Sequence, residues 1–294
     1  MRAMDQEGSS AEGRAGLLLR ARRFLRPRYR VKRAWAKARH RRRQRRLAGR
    51  KIMRAVARAR PRAFFLEIGS NDGHQLDHLH ETIDAHPWRG VMVEPVGHVF
   101  ERLERNYGDN PRVELERAAI ADRDGTLPFF HLRPVEDPGS EGLPHWYDAI
   151  GSFSREHLER HRDLIPDVEE RIEAIEVPCL TLDSLCRKHS IGRIDVLQID
   201  TEGHDLRILG QVDLARLRPL LIIYEHYHLS PEEQAASRQR LESHGYLVME
   251  EGFDSWCLDR EASETRLIDT WERLRPGRPA VHAENDPTRG GAQG

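Results

Sequence analysis

The sequence predicts a doubly wound α/β fold: a mostly parallel sheet, helices on both faces, and a C-terminal antiparallel hairpin. Three observations predict it. Short apolar runs alternate with segments of helical periodicity, several of those runs end in an acid, and the first is followed by a tight turn with two glycines.

The first run is F-F-L-E-I-G-S-N-D-G at residues 64–73. Phe64, Phe65, Leu66 and Ile68 supply a short buried strand, while Gly69 and Gly73 permit backbone conformations and a close ligand approach that a side chain forbids. Leu76, Leu79 and Ile83 follow at helical spacing, predicting a helix whose N-terminal N–H groups face the same ligand. Residues 90–95, G-V-M-V-E-P, read as the second strand, with Val99, Phe100 and Leu103 as the stripe of the next helix. Residues 113–121 read as a third strand ending at Asp122, and 127–132 as an added hairpin strand. The stretch 134–151, rich in Pro, Gly and acids, is expected to be a loop serving as a lid.

A helix over 155–172, a strand over 175–182 and a short helix opening at Asp183 come next. Residues 194–200, I-D-V-L-Q-I-D, form a core strand ending in Asp200, and 220–224 form another that ends at Glu225-His226. A helix carrying Leu206 and Leu209 joins them. Ser230, Pro231 and Glu233 mark a capping box at the start of a helix that stops near Gly245, and 246–250 with 255–258 give the closing hairpin.

The neutral total of 48 basic and 48 acidic residues hides two unequal parts. Residues 1–62 hold 23 Lys and Arg against 3 Asp and Glu, leaving 25 basic and 45 acidic residues for the rest. This divides the chain into a basic, partly helical or disordered arm (1–62), one catalytic-size domain (63–260) and an extension (261–294) disordered from about 276. The arm is either a solvated extension or a tether to nucleic acid, an anionic membrane surface or an acidic protein. No run is long enough to span a membrane and no signal-peptide core is present, which predicts a cytoplasmic chain. Cys179, Cys186 and Cys257 lack metal-ligand or redox spacing and are assigned no chemistry.

In a doubly wound sheet the ligand lies outside the carboxyl ends of the strands, where Glu67, Glu94, Asp122, Asp200 and Glu225 fall. Glu94 ends the second strand about 20 residues beyond the glycine turn, the position from which an acid accepts hydrogen bonds from both ribose hydroxyls.

The order L-E-I-G-S-N-D-G, V-E-P, A-A-I-A-D-R-D-G, L-T-L-D-S-L, I-D-V-L-Q-I-D-T-E-G-H-D-L-R-I-L and P-L-L-I-I-Y-E-H resembles the FkbM-type methyltransferases over about residues 64–260. The most specific element is I-D-x-E-G-H-D at 199–205; Gln198 departs from the family, which often has Lys there. The resemblance implies a Rossmann-like class I methyltransferase fold, S-adenosylmethionine as cofactor, and methyl transfer to a hydroxyl of a sugar or natural-product-like small molecule. It also implies cofactor contacts at Glu67, Gly69, Asn71, Gly73 and Asp200, the ribose at Glu94 and the adenine amino group at Asp122.

A hydroxyl must lose its proton as the methyl arrives, so His226 and His204, with Glu225 and Glu202, are the catalytic candidates, and His228 stands in the same run. The first reading is metal-free; the alternative is a divalent metal on Asp200, Glu202 and Glu225. Two other functions are weighed against a small-molecule or glycan methyltransferase: an RNA methyltransferase guided by the arm, and a non-catalytic scaffold tethered by it.

Overall fold

The computed structural model describes residues 48–75 and 77–275, so the expectations for the basic arm through residue 47, for Leu76 and for the tail from 276 lie outside the described residues. Helix α1 covers the described residues 48–59. Strand β1 (Phe64–Ile68) leads to α2 (His80–Ala85), β2 (Arg89–Val93), α3 (Gly97–Tyr107) and β3 (Val113–Glu116). Next come β4 (Ala119–Ile120), β5 (Gly125–Leu132), β6 (Gly151–Ser152), α4 (Arg155–Glu159), α5 (Val168–Arg171) and β7 (Ile172–Leu180). The chain continues through α6 (Leu182–Lys188), β8 (Val196–Ile199), α7 (Asp205–Gln211), β9 (Leu221–Glu225), α8 (Pro231–Ser243), β10 (Tyr246–Glu251), β11 (Asp254–Asp259) and α9 (Thr265–Leu274).

A seven-stranded sheet has the order β10-β11-β9-β8-β1-β2-β3. Strands β3, β2, β1, β8 and β9 are parallel, and the hairpin β10–β11 adds antiparallel to β9, as the sequence predicts. The chain winds outward one way from β1 and the other way from β8, so these two neighbours flank the switch point where such sheets open a crevice. Side chains alternate across the sheet. Phe65, Met92, Val196 and Ile223 pack with Ile52, Val56, Leu103 and Trp271 on one face. Leu66, Val91, Leu197 and Ile222 pack with Leu185, Ile208 and Leu241 on the other. Both faces are thus covered by helices, which explains why the parallel strands read as continuous apolar runs.

Several boundaries differ from expectation. Residues 49–59, assigned above to the arm, place Ile52, Met53, Val56 and Ala57 in the core, so the compact unit starts at Gly49. Likewise α9 belongs to the body, because its apolar stripe seats Leu267 and Trp271 against β11 and α1 residues. The expected third strand is two: β3 stays in the main sheet, whereas β4 pairs with β7 in a second sheet of order β4-β7-β5-β6. The stretch 134–151 is not a free lid, since Leu143, Tyr147 and Ile150 form a small core with Leu132, Leu158 and Ile165. The helix expected over 155–172 breaks after a 3₁₀ turn at Arg160–Asp163, where Pro166 cannot continue the hydrogen-bond ladder and Asp167 turns left-handed at φ 52°. Thr181 rather than Asp183 caps α6, its hydroxyl accepting from the Ser184 N–H at 3.1 Å. The capping box of Ser230 and Glu233 forms as expected.

Among the described residues no helix is long and apolar enough to cross a membrane. Trp271 is only 1 % exposed, so Trp271→Ala is predicted to lower unfolding free energy by about 3–5 kcal/mol in urea titration; an unchanged midpoint would return α9 to a dispensable tail.

Candidate active site

The turn after β1 is held from three sides. The N–H groups of Gly69 and Ser70 both bond the Val93 carbonyl, at 2.9 and 3.0 Å, and the Tyr107 hydroxyl donates to the Gly73 carbonyl at 3.1 Å. Gly69 has φ +80°, and a Cβ there would collide with the Asp200 carbonyl oxygen; at Gly73 a Cβ would strike Tyr107. The two glycines therefore serve close approach between β1, β8 and α3. No helix follows directly. Residues 70–75 and 77–79 are irregular and α2 starts only at His80, because Asp72 accepts from the N–H groups of His74 and Gln75 and folds the chain into a turn.

Glu94 faces this turn. One carboxylate oxygen accepts from the Asn71 N–H at 3.1 Å and the other from the Val96 N–H at 2.9 Å, which leaves each oxygen a further lone pair. Burial pushes its pKa up to about 7, against the opposing pull of those two N–H groups and of the Arg102 charge.

Glu67 is enclosed by the sheet at 1 % exposure and accepts a hydrogen bond from the Gln198 amide at 2.9 Å. The same amide nitrogen lies 3.4 Å from Asp77. Burial, then the charges of Asp77 and Asp200, raise the Glu67 carboxyl well above its ordinary range, and burial raises Asp77 too. Where the family often carries a cation, Gln198 thus bridges two acids with a neutral amide.

The ends of β8 and β9 form an acidic cleft. The Glu202 carboxylate lies 2.9 Å from His157 Nε2 and 3.3 Å from His228 Nε2, and His228 Nε2 lies 3.4 Å from Glu225. Glu202 sits at φ +51° in the turn 200–205, whose shape is set by Asp205: its carboxylate accepts from the Thr201 N–H, the Thr201 hydroxyl and the Gly203 N–H. Burial opposes ionisation of Glu202, but hydrogen bonds from His157 and His228 override it and hold the group down at about 2. Glu225 goes the other way, pushed up to about 12 by burial and then by the charges of Asp200 and Glu202. Asp200 is open to water yet flanked by protein; that partial enclosure, then Glu202, Asp205, Asp254 and Asp77, raises it.

The structure brings together Glu94 with Asn71, and Asp200 with Glu202 and Glu225, as the sequence predicts. Three of the expected site residues do not join them. His226 turns to the Ser255 hydroxyl at 3.1 Å, because the turn after β9 returns to the cleft only at His228, three residues beyond Glu225. His204 starts α7 and stacks on Phe153 with ring centroids 4.8 Å apart. Asp122 is exposed and pairs with Arg207 at 3.0 Å, with no described contact to Glu94 or Asn71. Sequence reasoning missed His157 altogether. Its signal was present as R-E-H-L-E-R-H, where His157 and His161 stand four residues apart on one helical face. A separate cavity of about 660 Å³, lined among others by Val96, His98, Arg117 and His131, opens beyond the Glu94 turn without including Asp200 or Glu225.

A family model for the FkbM methyltransferase domain matches residues 67–248. The chain belongs to the FkbM methyltransferase domain family. No curated protein matches it. Among solved structures, the FkbM methyltransferase from Methylobacillus flagellatus KT is similar at 12 % identity and TM-score 0.42, over 67 % of this chain and 44 % of that one. This chain therefore spans less than half of that protein's length. The Geobacter metallireducens precorrin-6y C5,15-methyltransferase is similar at 14 % identity and TM-score 0.31, over 68 % and 71 % of the two chains. The Burkholderia thailandensis 1,6-didemethyltoxoflavin-N1-methyltransferase is similar at 10 % identity and TM-score 0.33, over 87 % and 91 %. The family assignment rests on the sequence match alone.

The FkbM family implies S-adenosylmethionine, and the residues present fit it. A buried carboxylate with spare lone pairs at the end of β2 suits two ribose hydroxyls, and the turn at Asn71 lies directly against it. Ribose hydrogen bonds favour the ionised acid, whereas free Glu94 holds its proton below about 7. Binding is therefore predicted to release a proton below that pH, and affinity to rise by up to about tenfold per pH unit towards 7 and then level off. Calorimetry in two buffers of different ionisation enthalpy reads both effects. Glu94→Ala should remove the pH dependence and weaken binding by about 1.5–3 kcal/mol; a pH dependence that survives the substitution refutes the assignment.

Proposed function

We propose that this FkbM-family chain is an S-adenosylmethionine-dependent O-methyltransferase acting on a hydroxyl of a small molecule or glycan. The observation that carries this reading is the His157–Glu202–His228–Glu225 cluster at the ends of β8 and β9, one strand from the turn that faces Glu94. Bound there, the cofactor would supply an electrophilic methyl on a sulfonium. Little covalent help is then needed: the residues have to align the acceptor oxygen, keep water out and take up or disperse its proton. Glu94 and the 69–73 turn hold the donor side. The acceptor oxygen lies towards Asp200, Glu202 and His228, whose lone pairs face the cleft.

Two exposed aromatics support a ring-bearing acceptor. Tyr227, next to His228, is 59 % exposed, and its ring lies 4.4 Å from that of Phe253, centroid to centroid, beside the hairpin turn. An exposed aromatic pair at a cleft mouth offers an apolar face to a sugar or polyketide-like ring while the hydroxyl points inward.

Mass spectrometry of cell extracts incubated with the chain and isotopically labelled S-adenosylmethionine tests the reaction. The label is expected on oxygen, and a product labelled on nitrogen or carbon refutes the reading. With the acceptor in hand, His228→Ala is predicted to lower turnover about 10²-fold or more. His226→Ala should lose about 1 kcal/mol of stability with the Ser255 hydrogen bond and leave turnover within about threefold. The reverse order would restore His226 to the acceptor site.

A further inference from the structure

We propose that His157, Glu202, His228 and Glu225 form a binding site for one divalent first-row transition-metal ion. The site stands on side-chain geometry and does not depend on the methyl-transfer reading. A tetrahedral ion with bonds of about 2.0–2.1 Å separates its ligand atoms by about 3.4 Å. The carboxylate–imidazole separations here, Glu202 to His228 and His228 to Glu225, are 3.3 and 3.4 Å, and Glu202 to His157 is 2.9 Å. The ligand atoms of His157, Glu202 and His228 lie within 4.8 Å of one another, as do those of Asp200, Glu202 and Glu225, so Glu202 is common to both sets. Asp200 then stands at the solvent side of these four ligands.

An independent observation points to a cation. Glu225 is nine-tenths buried, and its Oε2, the oxygen facing His228, has no hydrogen-bond donor. Among the described residues no lysine or arginine is ion-paired with Asp200, Glu202 or Glu225. Three carboxylates packed against two imidazoles therefore lack a fixed positive charge, and a buried acid without one is destabilising. A divalent ion supplies it.

Two imidazoles in the donor set select the class of ion. Mg²⁺ and Ca²⁺ take oxygen ligands, whereas imidazole with carboxylate suits Zn²⁺, Fe²⁺ or Co²⁺. The backbone is shaped to the same end. Glu202 is held at φ +51° by the Asp205 hydrogen bonds and by the Ser152 hydroxyl on its carbonyl at 2.9 Å, which aims its carboxylate at both histidines.

The test uses the full chain stripped with chelator and titrated with Co²⁺, Zn²⁺ or Mg²⁺ alone. One equivalent of Co²⁺ is expected to bind with visible absorption bands of a low-coordinate site, and Zn²⁺ to displace it. The double variant H157A/H228A should bind Co²⁺ more than about 100-fold more weakly, with its circular dichroism unchanged. If that variant does not fold, Zn²⁺ should protect His157 and His228 of the native chain from diethyl pyrocarbonate, read by mass spectrometry, and protection confined to other histidines overturns the site. So does a double variant that binds Co²⁺ as tightly as the native chain. Stoichiometric Mg²⁺ uptake with both histidines still modified would overturn it as well, by moving the ion to Asp200, Glu202 and Glu225.

Discussion

The carboxyl edge of the sheet depends on how closely β1 and β8 end together. The Asp200 N–H bonds the Ile68 carbonyl at 2.9 Å, and the next residue of β1, Gly69, leaves no room for even one methyl group against the Asp200 carbonyl. The direction in which strands are added reverses at this seam between two parallel strands, so a turn from one half of the sheet and a turn from the other meet with no side chain between them. One of those turns leads to Asn71 and Glu94; the other leads to Glu202. A wider seam would separate the Glu94 turn from the Glu202 turn, the donor and acceptor sides of the proposed reaction, and such a transfer is sensitive to displacements on the order of 1 Å.

Bringing strand ends together also crowds acids. Parallel strands converge at one edge with their polar terminal residues, and here Glu67, Asp77, Asp200, Glu225 and Asp254 share that edge with few fixed positive charges. The chain answers in three ways. Glu67 and Asp77 are held towards the neutral form beneath a bridging Gln198 amide, His78 pairs with Asp254 at 3.2 Å, and Glu202 stays ionised because two imidazoles face it.

Legibility in the sequence followed burial. Strands β1, β2, β8 and β9 are covered on both faces and show as apolar runs, so their order, the hairpin and the place of Glu94 were readable. The second sheet was not: β5 and β7 are covered on one side, their polar residues face water, and β4 is two residues long. The same limit hid His157, which comes from a one-and-a-half-turn helix in that inserted region, 45 residues before its partner Glu202. His226 and His228 were both visible, but their choice turns on the geometry of a tight turn that periodicity does not resolve.

The inserted region supplies part of the proposed acceptor side. Helix α4 has little propensity to stand alone, yet Ser154 caps it, accepting from the His157 N–H at 3.2 Å, and Leu158 anchors it in the small core with Tyr147 and Ile165. Those contacts fix the one residue whose imidazole reaches Glu202 from outside the main sheet. The Glu94 side of the cleft needs only the doubly wound core and its switch point. Its other half is completed by a segment that the core does not require for folding, which is where a common scaffold acquires a particular acceptor chemistry.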